Sequence, residues 1–213
     1  MNDTADTRNI IRLARLLVFW LWVHIAMKVA FMATLIASVI AVYGPPNDAF
    51  PYRAVGLATS TVAMISIVLR LGVGVMVLTW IYRACRNALS LAPDLPLSPG
   101  WAVGWYFVPI AALWKPFAAL ALAWRGSVAP SAWRTESAPS IFGWWWAFWI
   151  TSGVAGFLAG LVGRMRAEDT STARYGLLMT STVLGALAAL LLMRIVRRLS
   201  DRQATTLGVA IFA

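Results

Sequence analysis

A chain whose only cysteine is Cys85 can close no intramolecular disulfide, and with His24 as its only histidine it can build no Cys/His metal cluster. Acid is scarce as well. The eight carboxylates are Asp3, Asp6, Asp48, Asp94, Glu136, Glu168, Asp169 and Asp201, and none of them falls within a long apolar run. Paired carboxylates acting as general acid and base inside a hydrophobic segment are thereby excluded. The patterns H-E-x-x-H and G-x-S-x-G and a phosphate-cradling glycine loop are also missing. With no catalytic group, metal or cofactor to assign, the expectation is a non-enzymatic protein. Tandem repeats and low-complexity tracts are lacking too, so residues 1–213 are expected to form a single transmembrane domain.

Charge of either sign is sparse. Charged residues make up 12% of the chain and hydrophobic ones 61%, whereas a soluble domain carries roughly 25% charged residues. The polar remainder is too small to cover a soluble core of that content, so lipid is the better solvent. The net charge of +10 could suggest nucleic acid, but the Lys and Arg residues mostly flank apolar runs, as membrane-edge cations do. No nucleic-acid partner is expected.

Four segments are long and apolar enough to cross a bilayer, which takes about 20 residues. They are Leu16–Tyr43, Ala54–Tyr82, Gly143–Gly163 and Arg174–Val196. The first is preceded by Arg8, Arg12 and Arg15 but is 28 residues long, too long for a signal-peptide core of about 7–15, so it reads as an uncleaved span. Gly44-Pro45-Pro46-Asn47-Asp48 separates spans one and two, and the polar loop Arg164–Ala173 separates spans three and four. A fifth apolar piece, Trp101–Trp124 within residues 99–125, carries Pro109 and Pro116, with Lys115 and four tryptophans. Proline should kink or break it, and tryptophan favours the headgroup level. An interfacial or re-entrant segment is expected there.

The positive-inside rule separates four crossings from five. With four, the cytoplasmic side holds Arg8, Arg12, Arg15, Arg83, Arg86, Lys115, Arg125, Arg134, Arg194, Arg197, Arg198 and Arg202. The outer side then holds only Arg53, Arg164, Arg166 and Arg174. With five crossings the bias all but vanishes. Four spans with both termini cytoplasmic are expected, in the cell inner membrane.

Small residues recur one turn apart at Ala33, Ala37 and Ala41, at Gly156 and Gly160, and at Ser181, Gly185 and Ala189. This spacing predicts close helix packing in the bundle, with homo-oligomerisation the lesser alternative. Trp144, Trp145, Trp146 and Trp149 read as aromatic anchors at the cytoplasmic end of the third span.

Lys28 and Arg70 are the two cations inside spans. Each lies 15 residues from the outer end of its span, about 22 Å into a core of about 30 Å. Two readings stand side by side. A long side chain could snorkel the remaining distance to the cytoplasmic interface. Alternatively, His24, Lys28 and Arg70, with Lys115 from the broken segment, form a cationic pocket for an anionic ligand or anionic lipid. A small transporter or channel subunit is the alternative function, although the matching broken helices of a transporter are not evident.

From Trp80 to Ser127 the chain reads W-I-Y-R-A-C-R-N-A-L-S-L, then S-P-G-W-A-V-G-W-Y-F-V-P-I-A-A-L-W-K-P-F, then A-W-R-G-S. This resembles the bacterial membrane proteins grouped as domain of unknown function 4328 (DUF4328), as do the Trp-rich span and the ending from Arg194 to Gln203. The matching positions are Arg83, Asn87, Ser98, Pro99, Gly100, Trp101, Gly104, Trp105, Pro109, Trp114, Lys115 and Pro116. The resemblance implies a multi-span protein and carries over no catalytic residue. Ala112 stands where members often have Asn. In physical terms Ser98 is expected to cap a helix starting at Pro99, Gly100 and Gly104 to admit a neighbouring helix, and the two prolines to set two bends.

Overall fold

The computed structural model describes residues 3–44, 51–165 and 170–210. Helices α1 (Asp3–Tyr43), α2 (Tyr52–Leu91), α5 (Ile141–Val162) and α6 (Thr170–Ala210) cover the four expected spans. Each contains a stretch long and apolar enough to cross a membrane. Between α2 and α5 lie the short α3 (Pro99–Gly104), two single 3₁₀ turns (Trp105–Phe107 and Ala111–Leu113) and α4 (Lys115–Val128). No strand occurs among the described residues. The turn after Gly44 and the centre of the 164–173 loop lie outside them.

Three helices far exceed their apolar runs. α1, α2 and α6 have 41, 40 and 41 residues, about 60 Å each at 1.5 Å per residue, or twice the hydrocarbon thickness. The surplus is amphipathic rather than uniformly apolar. At the end of α6, Ile195, Val196, Leu199, Ser200 and Gln203 are buried, while Arg194, Arg197, Arg198 and Arg202 are exposed.

The chain divides into two compact units, to which α1, α2, α5 and α6 all contribute. One comprises Met1–Leu21, Val73–Trp146 and Leu190–Ala213, and the other Trp22–Gly72 and Ala147–Ala189.

In the first unit the proline-broken segment splits into unlike halves. Val108 is extended (φ −100°, ψ 107°), as the residue before a proline should be, and the chain breaks there. Pro116 sets no bend. It lies in the first turn of α4, where its missing N–H costs nothing. The front half exposes Phe107 (73%), Ile110 (72%), Leu113 and Trp114, the apolar display expected at an interface. The back half packs inward: α4 buries Ala119, Leu120, Ala123, Trp124, Gly126 and Ser127, so it is an internal helix of this unit. Gly126 faces Leu95 so closely that any Cβ would displace that side chain. Trp145 and Trp146 are likewise core residues rather than headgroup anchors, and Trp146 donates its indole N–H to the Leu113 carbonyl at 2.7 Å. Only Trp144 and Trp149 of that run are exposed.

The turn after α2 is hooked to the turn after α4. Asp94 accepts the Trp133 indole N–H at 3.0 Å and pairs with Arg134 at 2.9 Å, and the Arg134 guanidinium lies over the Trp133 ring. The Trp133 hydrogen bond, followed by Arg134, holds the Asp94 carboxyl below its ordinary value of 3.8. A depressed carboxyl contributes stability above its unfolded value and loses it as the pH falls through the folded one. The thermal midpoint of the Asp94→Asn variant is therefore expected below wild type at neutral pH. The gap should close as the pH drops below about 4; a gap that persisted in acid would remove the hook's role.

In the second unit hydroxyls and small residues bind the helices. Ser152 donates to the Ser181 carbonyl at 2.8 Å and Ser181 donates to the Ser152 carbonyl at 2.9 Å, a reciprocal clasp between α5 and α6. A Cβ on Gly156 would stand 3.1 Å from the Ser181 hydroxyl, whereas Gly160 meets nothing within 4 Å. The glycine pair therefore contributes one close approach. On α1 the inward positions include Leu35 and Ser38, with Ser38 Oγ 3.1 Å from Thr59 Oγ1 of α2; of the alanine stripe, Ala33 is exposed and Ala37 and Ala41 are half-buried. Outward, this unit shows Leu57 (69%), Val68 (67%), Leu71 (67%) and Phe157 (66%). Water would penalise so much contiguous apolar surface; hydrocarbon does not.

Candidate functional site: a cationic cluster between membrane helices

The cluster is set by the register of α1. Leu21, Lys28 and Leu35 recur every seven residues and are 2%, 9% and 1% exposed, so Lys28 occupies an inward seam position. That burial opposes the snorkelling reading, in which the ammonium would reach the polar boundary. Instead its end lies against the backbone of α6 at Gly185. A Cβ there would stand 2.5 Å from Lys28 Nζ, 3.0 Å from Cε and 2.9 Å from Ser152 Oγ. A side chain at Gly185 would therefore oblige the end of the lysine to shift. His24, one turn before Lys28, buries a ring nitrogen, Nδ1, that has no hydrogen-bond partner. Arg70 on α2 is exposed, yet its charge reaches both His24 and Lys28.

Nothing among the described residues neutralises this group. The second unit contains no described Asp or Glu, and Lys28 has no hydrogen-bonded or ion-paired partner there. A buried ammonium without a counter-charge costs several kcal/mol, approximately what an incoming anion would recover.

His24, Lys28 and Arg70 are brought together within one unit. Lys115 belongs to the other, where its ammonium sits 5.5 Å from the centre of the Trp105 ring.

The motif residues form structure rather than a pocket. Ser98 holds the N-cap position, but its hydroxyl makes no capping bond; its carbonyl accepts from the Ala102 N–H at 2.8 Å. Pro99 opens α3 as expected. Gly100 faces open space, and Gly104 lies under the ring of Trp101, so neither admits a neighbouring helix. Trp101 packs on Trp105 at 4.5 Å. Arg83, Pro109 and Trp114 are exposed, and Pro116 is buried.

Asn87 leads to an arrangement that motif reading overlooked. Its Nδ2 donates to Gln203 Oε1 at 3.4 Å. Gln203, fully buried, donates to the Ala84 carbonyl at 2.8 Å and to Ser127 Oγ at 2.9 Å. One turn away, the Trp80 indole donates to Ser200 Oγ at 3.0 Å. The available signal was periodicity, since Ser200 and Gln203 share the face of Val196 and Leu199 on α6.

Apolar helices of spanning length and an outward apolar surface define a multi-pass α-helical membrane protein. The family model for the domain of unknown function (DUF4328) matches residues 47–201, most of the chain. The protein belongs to that family. No curated protein and no solved structure matches it. Arg70, Lys115 and the motif residues fall within the matched region, whereas His24 and Lys28 precede it.

Proposed function

We propose that this chain is a non-enzymatic component of a bacterial inner membrane, with both termini cytoplasmic, that holds an anion at His24, Lys28 and Arg70. The observation that carries the reading is Lys28, buried to 9% exposure among helices that offer it no carboxylate. Charge within a span is most often functional, because its cost is otherwise unreturned. The missing catalytic motifs support a binding role over a reaction, and the excess of basic residues on one side of the spans supports the orientation.

Native mass spectrometry of gently extracted protein tests the binding role. A bound anionic species is expected on wild type and is expected to be lost from Lys28→Leu/Arg70→Leu; an identical mass pattern for both would end the proposal. For orientation, a Ser131→Cys substitution in a Cys85→Ser background should react only with reagents that enter the cytoplasm. Ser131 is exposed, whereas Cys85 is fully buried.

A further inference from the structure

We infer that the anion at this cluster is the phosphate of an anionic phospholipid, reached from the side of the bundle and held between Arg70 outside and Lys28 within. The inference rests on the anion-binding reading above and names its ligand. Three observations carry it.

The first is access. Arg70 is exposed, and its neighbours Val68 and Leu71 are each 67% exposed on the apolar outer surface of α2. A guanidinium there faces the bilayer. Lys28 sits inward, so the pair leads from lipid to bundle interior.

The second is depth. Trp22 (51% exposed) and Trp149 (42%) are the outward tryptophans of this unit, and exposed tryptophan marks the headgroup level. Lys28 follows Trp22 by six residues, about 9 Å along α1. A phosphate drawn inward from that level by about this distance meets the Lys28 ammonium where it lies, with no need for the lysine to leave its inward seat.

The third is charge. Lys28 and Arg70 present two positive charges and the described residues of the unit present no negative one. A guanidinium grips a phosphate through two parallel N–H bonds, and an ammonium adds a point charge. A zwitterionic lipid would bring its own ammonium against both groups and be rejected. An anionic headgroup is accepted.

Thermal unfolding of the full chain in neutral detergent, followed by tryptophan fluorescence, tests this. Micelles doped with phosphatidylglycerol should raise the midpoint of wild type by several degrees, whereas phosphatidylcholine or inorganic phosphate should not. Lys28→Met should lose that rise. So should Gly185→Ala, which keeps every charge but obliges the ammonium to shift, and which serves if Lys28→Met fails to fold. Lys115→Gln should retain it. Apparent affinity for phosphatidylglycerol should fall about tenfold in Gly185→Ala. An equal rise in wild type and both site variants would overturn the inference. A rise with inorganic phosphate as large as with phosphatidylglycerol would replace the lipid by a free anion, leaving the binding role intact. No rise with any anion would overturn both.

Discussion

Replacing Gln203 with leucine is expected to destabilise the protein by about 2–4 kcal/mol, among the largest effects of any single polar substitution in it. The side chains are close in volume, so packing changes little. What is lost is two donated hydrogen bonds, to the Ala84 carbonyl and Ser127 Oγ, and an acceptor for Asn87 Nδ2. The amide of Asn87, itself 7% exposed, would then stand unsatisfied in a dry environment. Thermal unfolding in detergent measures the effect. The double variant Asn87→Leu/Gln203→Leu should be less destabilised than the sum of the single variants, because each already strips the other's partner. A Gln203→Leu variant as stable as wild type would show that the network contributes packing alone.

The second large effect separates two glycines that look alike in sequence. Gly156→Leu should cost at least about 1–3 kcal/mol by overpacking, plus the weakening of the Ser152–Ser181 clasp. Its Cβ would lie 3.1 Å from the Ser181 hydroxyl, between two helices already joined at 2.8 and 2.9 Å. A Cβ on Gly160, one turn later, would meet nothing within 4 Å, and Gly160→Leu should be close to neutral. Equal losses at both positions would contradict the packing described.

The spans were legible because hydropathy over 20 residues is a strong signal, and the broken segment because proline acts locally through its missing N–H. Helix ends were not. Past Tyr82 and past Val196 the apolar run stops, but the helix continues on an amphipathic face that a search for uniform hydrophobicity discards. The same bias misjudged Trp145 and Trp146: composition marks tryptophan as interfacial, and only the packing around Tyr106 and Leu113 shows two of the four enclosed. For the cationic cluster, chemistry picked out Lys28 and Arg70, whereas the inward position of Lys28 shows only in the burial it shares with Leu21 and Leu35. Gly185, which makes its room, carried no sign of that task beyond being small. Lys115, grouped with them on sidedness, belongs to the other unit.

The polar ties of the first unit span unusually long stretches of chain: Gln203 reaches Ala84 across 119 residues, Asn87 across 116 and Ser127 across 76. Such partners meet only after the ribosome has delivered nearly everything between them, and loop closure over that length is slow. The bilayer-crossing helices can therefore be inserted one by one during translation, while Trp80 and Asn87 wait for Ser200 and Gln203. A chain halted before those residues would be threaded but unfinished, exposing the half-built interior to proteolytic quality control.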